Sequence, residues 1–318
     1  MSELSPAAGP PLFLVGCGRS GSTMLRLMLD AHPDLAVPGE SHFIPGLRRR
    51  FPDPVRRDQL TAALLRTPHF RHWKVAESSV WGRVQALGSP AFASVVEAAF
   101  LANADEHGAR RWGDKTPAYV HAIPLLHGLW PDARFVHLIR DGRDVALSYR
   151  SLHWGPDTVW AAARKWRRDV EAGIRDGQPL GTDHYLETRY EDLVADPKQV
   201  LRTICAFADL PFDATMLDPQ ARLGHPTLAP DGGRAFHARS ERAVEAGARA
   251  WRTEMSPGDV GRFEAVAGRL LTDLGYERWF PDVGTRDRVA GVIRTAALDV
   301  RAAAGEARAE LGRRLRPR

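Results

Sequence analysis

The sequence of 318 residues predicts an α/β protein, a three-layer sandwich with a central, mainly parallel sheet and helices on both faces. Three observations predict it. Short apolar runs closed by turn residues alternate with amphipathic stretches. Two of those runs lead straight into a helix start. No stretch approaches the roughly 20 apolar residues that span a bilayer. Short apolar runs read as buried strands, and strand–helix alternation covers a parallel sheet on both faces.

The elements follow in order. PLFLVG (Pro11–Gly16) is the first strand, an apolar run closed by glycine. A helix begins at about Ser22, with Met24, Leu25, Met28 and Leu29 at helical spacing, and Ala31–Pro33 stops it. The four prolines and several charges between Val37 and Pro54 predict a loop. The region with Trp73 and Trp81 reads as helical but weakly punctuated. Phe92, Val95, Val96, Ala99 and Phe100 share one side of a helix from about Pro90 to Glu106.

RFVHLI (Arg134–Ile139) is the second strand, introduced by a turn at Trp130–Ala133, and Asp141 caps the helix after it. A long helix with Trp160 and Trp166 spans Thr158 to Arg175. HYLETRY (His184–Tyr190) alternates as a third strand, and Pro197 opens a helix to Ala208. Ser256-Pro257 is a cap followed by proline at the first helical position, starting a helix to about Leu274. The expected organisation is a disordered N-terminus (1–10), one domain (11–280) and a basic amphipathic helix (281–318). In that last segment Val289, Val292, Ala296, Val300, Ala304, Ala307, Leu311 and Leu315 form one stripe. The stripe suits packing on the domain or on a second copy of the chain in a homodimer. Weak contact with an anionic membrane is the other reading.

Composition is that of an ordinary globular protein, 44% hydrophobic and 26% charged. The net charge of +5 suits anionic small molecules, and no recognised module points to a specific nucleic acid. Cys17 and Cys205 offer neither a disulfide framework nor metal-ligand spacing, and Leu12–Val15 is too short for a signal-peptide core. A cytoplasmic setting is the expectation. His69 and His72 are close together, but no third ligand of matching spacing follows, so no metal is expected.

GCGRSGST (Gly16–Thr23) lies where a strand ends and a helix begins. Its three glycines let the backbone turn its N–H groups onto an anion, beside the positive end of a helix. Gly16 and Gly21 align with the glycines of the triphosphate loop GxxxxGK[ST], but Ser22 then stands where lysine is required. That lysine serves phosphoryl transfer, so its absence argues against a nucleotide kinase. The cation lies inside the loop instead, at Arg19, whose guanidinium can fork onto two oxygens.

Arg134–Ser151 repeats the pattern of strand, turn and helix, with Arg140 at the strand end and Ser148 two turns along. Taken alone, Arg140, Asp141, Arg143 and Asp144 read as a solvated helix start with internal ion pairs. Together with the first loop, they fit a ligand bound across the crevice of a doubly wound sheet.

These features make the resemblance specific. The chain resembles sulfotransferases that use 3′-phosphoadenosine 5′-phosphosulfate. The resemblance rests on Arg19–Thr23, the Arg140…Ser148 pair, RYEDLVADP (Arg189–Pro197) and the WRTEMSP…LGY stretch (Trp251–Tyr276). It is most similar to the branch of tyrosylprotein and bacterial sulfotransferases, which Leu25–Pro45 follows closely, and it covers about residues 11 to 280. It implies a P-loop-like fold in which Gly18, Arg19, Ser20, Gly21, Ser22 and Thr23 bind the 5′-phosphosulfate. Arg140 and Ser148 would bind the 3′-phosphate, and Tyr190 would lie near the adenine. Glu40 stands where that branch places its general base, and Lys115 matches a lysine beside the transferring group. Cytosolic small-molecule sulfotransferases usually have lysine at the Arg19 position and a histidine base, so their substrate rules do not transfer here.

The implied reaction is an in-line displacement at sulfur, in which positioning and charge stabilisation dominate. Glu40 would take the proton of an acceptor hydroxyl, while Arg19 and Lys115 stabilise the leaving and equatorial oxygens. His42 is the rival base, since imidazole titrates near neutrality. Lys115 could instead be a surface lysine paired with Asp114. Trp73, Trp81, His153, Trp154 and Trp160 are candidates for the acceptor pocket, although tryptophan is more often core. The acceptor itself (sugar, lipid, polyketide alcohol, phenol or peptide tyrosine) is open. A non-catalytic nucleotide-binding protein is the competing class.

Overall fold

The computed structural model describes residues 9–88, 91–150, 152, 154–219 and 250–280. Its contacts cluster into two compact units, Met1–Arg140 with Asp169–Ala248, and Asp141–Arg168 with Arg249–Arg318. The first unit holds a five-stranded sheet in the order β2-β3-β1-β4-β5. The strands are β1 (Leu12–Gly16), β2 (Leu35–Ala36), β3 (Arg111–Lys115), β4 (Arg134–Ile139) and β5 (Tyr185–Arg189). Every pairing is parallel, with Leu14 opposite Lys115 on one side and Val136 on the other.

The central strand is buried at all of its residues, as a strand covered on both faces must be. Phe13 and Val15 join one hydrophobic cluster, Leu12 and Leu14 the other. This is the period-2 alternation of a strand. The first cluster is filled by aromatic rings. Phe13 stacks on Phe135 with centroids 5.4 Å apart and meets Trp112 edge-on at 5.7 Å. It also takes in α2 (Ile44–Arg50), α3 (Arg57–Leu65), α4 (Pro68–Trp73), α5 (Glu77–Gln85), α6 (Phe92–Glu106) and α7 (Ile123–Leu129). The second cluster is aliphatic, from α1 (Ser22–Asp30), α10 (Tyr190–Ala195) and α11 (Pro197–Phe207). Asp196 caps α11 by accepting from Gln199 N at 3.0 Å.

Three departures from the sequence reading have physical causes. The stretch read as loop between Val37 and Pro54 contains α2, whose Pro45 sits in the first turn, where its missing N–H is harmless. Two-residue β2 is too short to show a pattern. β3 reads RWGDK, yet every residue in it is buried. Its charges are answered locally. Arg111 donates to the carbonyls of Pro10 (2.7 Å) and Ala208 (2.5 Å), Asp114 accepts from two hydroxyls, and Lys115 meets Glu40. Residues 1–8 lie outside the described residues.

The second unit contains α8 (Gly142–Arg150), α12 (Trp251–Glu254) and α13 (Pro257–Asp273). The helix α9 (Val159–Gly177) belongs to it up to Arg168 and to the first unit from Asp169. Both predicted caps are present: Asp141 accepts from Arg143 N at 2.9 Å, and Ser256 accepts from Asp259 N at 3.2 Å. The start of α8 is not a solvated cluster. Arg143 is 1% exposed, paired with Asp141 (2.7 Å) and Glu264 (2.8 Å), its guanidinium 3.5 Å from the Trp251 ring centroid. Glu264 lies 121 positions away, so the charges read as a surface group until the fold is known. The predicted C-terminal helix, 281–318, lies outside the described residues. Among the described residues no helix is long and apolar enough to cross a membrane.

Candidate active site

In the first unit the predicted loop, base, lysine and nucleotide-binding residues follow, or end, the carboxyl end of a strand, while Trp73 and Trp81 lie on α4 and α5. Gly18–Thr23 follow β1, Glu40 and His42 follow β2, Lys115 ends β3, Arg140 follows β4 and Tyr190 follows β5. Open parallel sheets bind ligands at this end.

The β1–α1 loop is shaped for close approach. Gly21 has φ 90°, and a Cβ there would lie 2.3 Å from the Tyr190 ring. Arg19 is left-handed at φ 74° without being glycine, a conformation that costs about 1–2 kcal/mol and concentrates at functional sites. Ser20 is 1% exposed, and its Oγ has no hydrogen-bond partner among the described residues. A buried hydroxyl without a protein partner fits an anionic ligand held by the loop. The amino-terminal end of α1, with its partial positive charge, adds to that fit. Arg140 extends along the loop: its guanidinium lies 4.4 Å from the Tyr190 ring centroid, and Nη1 donates to Arg19 O at 3.4 Å.

Glu40 lies between two nitrogen bases. Its Oε1 accepts from Lys115 Nζ at 2.5 Å and its Oε2 is 2.6 Å from His42 Nε2. Lys115 Nζ also reaches Thr23 Oγ1 at 3.5 Å, linking the carboxylate to the phosphate loop. Lys115 is 4% exposed and Asp114 1%. The alternative of a surface lysine paired with Asp114 therefore fails: the lysine is buried and its partner is Glu40. Burial pushes the Glu40 carboxyl upward, but the hydrogen bonds from His42 and Lys115 and the Lys115 charge outweigh it and hold it at about 2. Burial lowers Lys115 from its ordinary value, with Glu40 opposing the shift.

A buried network that sequence reasoning missed lies next to this pair. Ser41 Oγ donates to Asp114 Oδ2 (2.5 Å) and Thr116 Oγ1 to Asp114 Oδ1 (2.7 Å); Tyr119 OH lies 2.8 Å from Ser41 Oγ. Burial pushes Asp114 up to about 6 despite both hydroxyls. Ser41 lies 73 to 78 positions from Asp114, Thr116 and Tyr119, so the only sequence signal was their adjacency to Glu40 and Lys115.

The remaining candidates divide. Trp73 is 9% exposed and packs against Phe43, Phe70 and Phe100, while its Nε1 donates to Gly39 O at 2.9 Å. It is a core residue that anchors the Glu40 loop from behind rather than a pocket wall. Trp81 is partly buried against the same core, and Trp160 is 7% exposed. Trp154 is 64% exposed, edge-on to Tyr149, in the second unit. Ser148 also lies there, on α8, and His153 is outside the described residues. His69, not singled out for this site, stacks near His42 with ring centroids 4.7 Å apart. Among the described residues no three His, Cys, Asp or Glu side chains cluster as a metal site would.

Comparison with known proteins gives the family. The model of the sulfotransferase family matches residues 10–214. A protein-tyrosine sulfotransferase of Drosophila melanogaster is 28% identical over 294 residues, 87% of this chain and 54% of its own length. The chain thus spans about half of that relative. Nodulation protein NoeE of Sinorhizobium fredii is 27% identical, over 87% of this chain and 69% of its own. Among solved structures, the sulfotransferase domain of the Synechococcus PCC 7002 olefin synthase superposes with a TM-score of 0.60 at 25% identity. It covers 87% of this chain and 98% of that domain. The chain belongs to the sulfotransferase family.

Proposed function

We propose that the protein transfers a sulfuryl group from 3′-phosphoadenosine 5′-phosphosulfate to the hydroxyl of an acceptor, with Glu40 as general base. The observation that carries this reading is the Lys115–Glu40 pair at 2.5 Å, with Lys115 also in reach of Thr23 on the phosphate loop. Such a base contributes about 10²–10⁴-fold. The donor supplies an activated S–O bond: the acceptor oxygen bonds to sulfur, the bridging S–O bond breaks, and adenosine 3′,5′-bisphosphate leaves with the electron pair.

The chain's residues then divide the work. Gly18–Thr23 hold the phosphosulfate, with the Ser20 hydroxyl finding there the acceptor it lacks among the described residues. Arg140 and Tyr190 hold the adenosine 3′-phosphate end. A carboxylate held at about 2 is a weak base, because proton transfer is most effective when the pKa lies near the working pH. An anion seated on the loop competes with Glu40 for the Lys115 ammonium. That competition releases the carboxylate as the donor arrives, so basicity rises only in the loaded site. His42 stays on Oε2 and orients the carboxylate. Lys115 and Arg19 then face the charge that develops on the leaving oxygen.

The test is transfer of radiolabelled sulfuryl group from the donor to a panel holding a tyrosine peptide, a phenol, a sugar and an aliphatic alcohol. Label on one acceptor, with stoichiometric bisphosphate release, is expected. Tight bisphosphate binding with no transfer to any of them favours the non-catalytic reading instead.

A further inference from the structure

Two neighbouring pairs face each other where the Glu40 loop crosses the end of β3. Glu40 meets Lys115 at 2.5 Å, and Ser41 meets Asp114 at 2.5 Å. The second pair is buried, with Ser41 0% and Asp114 1% exposed. Donor chemistry fixes the direction of its hydrogen bonds. Ile44 N can only donate, so Tyr119 Oη accepts there at 3.0 Å and has its own proton left for Ser41 Oγ. The Ser41 proton goes to Asp114 Oδ2. In parallel, Ser41 N donates to Thr116 Oγ1 at 3.0 Å, and the Thr116 proton goes to Asp114 Oδ1. Both chains end on one carboxylate, which accepts both only when ionised.

The loop is thereby pinned at alternate points. Gly39 is held by Trp73, Ser41 by Asp114 and Thr116, and Ile44 by Tyr119. Glu40 and His42 project between the pins, and His42 is left-handed at φ 52°. Holding a buried carboxylate against its burial cost has a use here: it gives this stretch one register against β3. We propose that Asp114 is a positioning residue for sulfuryl transfer, acting through Ser41 to hold Glu40 in register with Lys115. The inference rests on Glu40 being the base, and its test separates the two.

Asp114→Asn keeps the volume but accepts only one of the two hydroxyl protons. The expected kcat falls about 10- to 100-fold, the scale on which a misplacement near 1 Å acts. The KM for the donor and the Kd for adenosine 3′,5′-bisphosphate stay within about twofold, because the phosphate loop is untouched. Carboxyl ¹³C NMR of the free enzyme above the Asp114 value of about 6, where that carboxylate is ionised, should show the Glu40 resonance displaced as its contact with Lys115 loosens. Tyr119→Phe keeps the ring and both donors to Asp114, and it covers the case in which the Asn variant does not fold. It should show a smaller loss of kcat with the Glu40 resonance displaced as well. Wild-type kcat per folded molecule in either folded variant overturns the role. So does a lowered kcat with the Glu40 resonance unmoved, since the loss then does not run through Glu40. If Glu40→Gln keeps its turnover, the base assignment falls instead, and the Glu40 resonance alone decides whether Asp114 sets the loop.

Discussion

Replacing Lys115 by methionine tests the electrostatics of the site most quantitatively. Two clamps hold Glu40 at about 2 against a burial effect that pushes it up: the hydrogen bond of His42, and the charge and hydrogen bond of Lys115. The displacement from 4.5 to about 2 corresponds to about 3 kcal/mol of differential interaction. The Glu40 side chain is 36% exposed, so solvent screening reduces its share of stability to about 1–2 kcal/mol. The direction is fixed by linkage. A depressed carboxylate stabilises the fold above its unfolded value, and that contribution is lost as pH falls from about 4.5 toward 2. Without Lys115 only His42 opposes burial, so the carboxyl should titrate well above its wild-type position, toward that of an ordinary glutamate.

Carboxyl ¹³C NMR reads the titration directly. Thermal unfolding at several values of pH between 3 and 6, compared with wild type at each, reads the linkage. The variant should lose most of the Glu40 share of the wild-type stability difference across that window, about 1 kcal/mol. A Glu40 that still titrates near 2 in Lys115→Met would refute the reasoning, because His42 alone would then account for the depression.

Two other substitutions separate binding from folding. Ser20→Ala removes a buried hydroxyl that has no partner among the described residues, so the melting temperature should stay within about 2 °C while affinity for adenosine 3′,5′-bisphosphate falls about tenfold or more; calorimetry reads both. Arg143→Met removes the cation between Asp141 and Glu264, leaving two buried carboxylates without the cation they share, and chemical denaturation should show a loss of about 3–5 kcal/mol.

Much of this molecule was legible from sequence because its site is built on local grammar. The loop Gly16–Thr23 announces itself as glycine between a strand and a helix, and both its ends lie where the pattern put them. β4 and β5 were equally visible as apolar or alternating runs. β3 was not, because its buried charges mimic a surface segment until Glu40, Ser41 and the Ala208 carbonyl are brought to it. The same reason hid the burial of Arg143: beyond neighbouring Asp141, its partners Glu264 and Glu277 lie more than a hundred positions away. Trp73 is legible as a large aromatic residue suited to core or pocket, but only the fold shows its indole holding the Glu40 loop from inside the core. Residue chemistry near a strand end could be read locally, whereas the network that fixes its geometry is long-range.

The central claim is that Glu40 moves the acceptor proton while the loops bind the donor. Single-turnover transfer by Glu40→Gln, with bisphosphate affinity measured in the same preparation, tests it most directly. The account predicts transfer slowed by about 10²–10⁴-fold with the affinity for adenosine 3′,5′-bisphosphate nearly unchanged. Transfer at the wild-type rate would contradict it and make His42 the base.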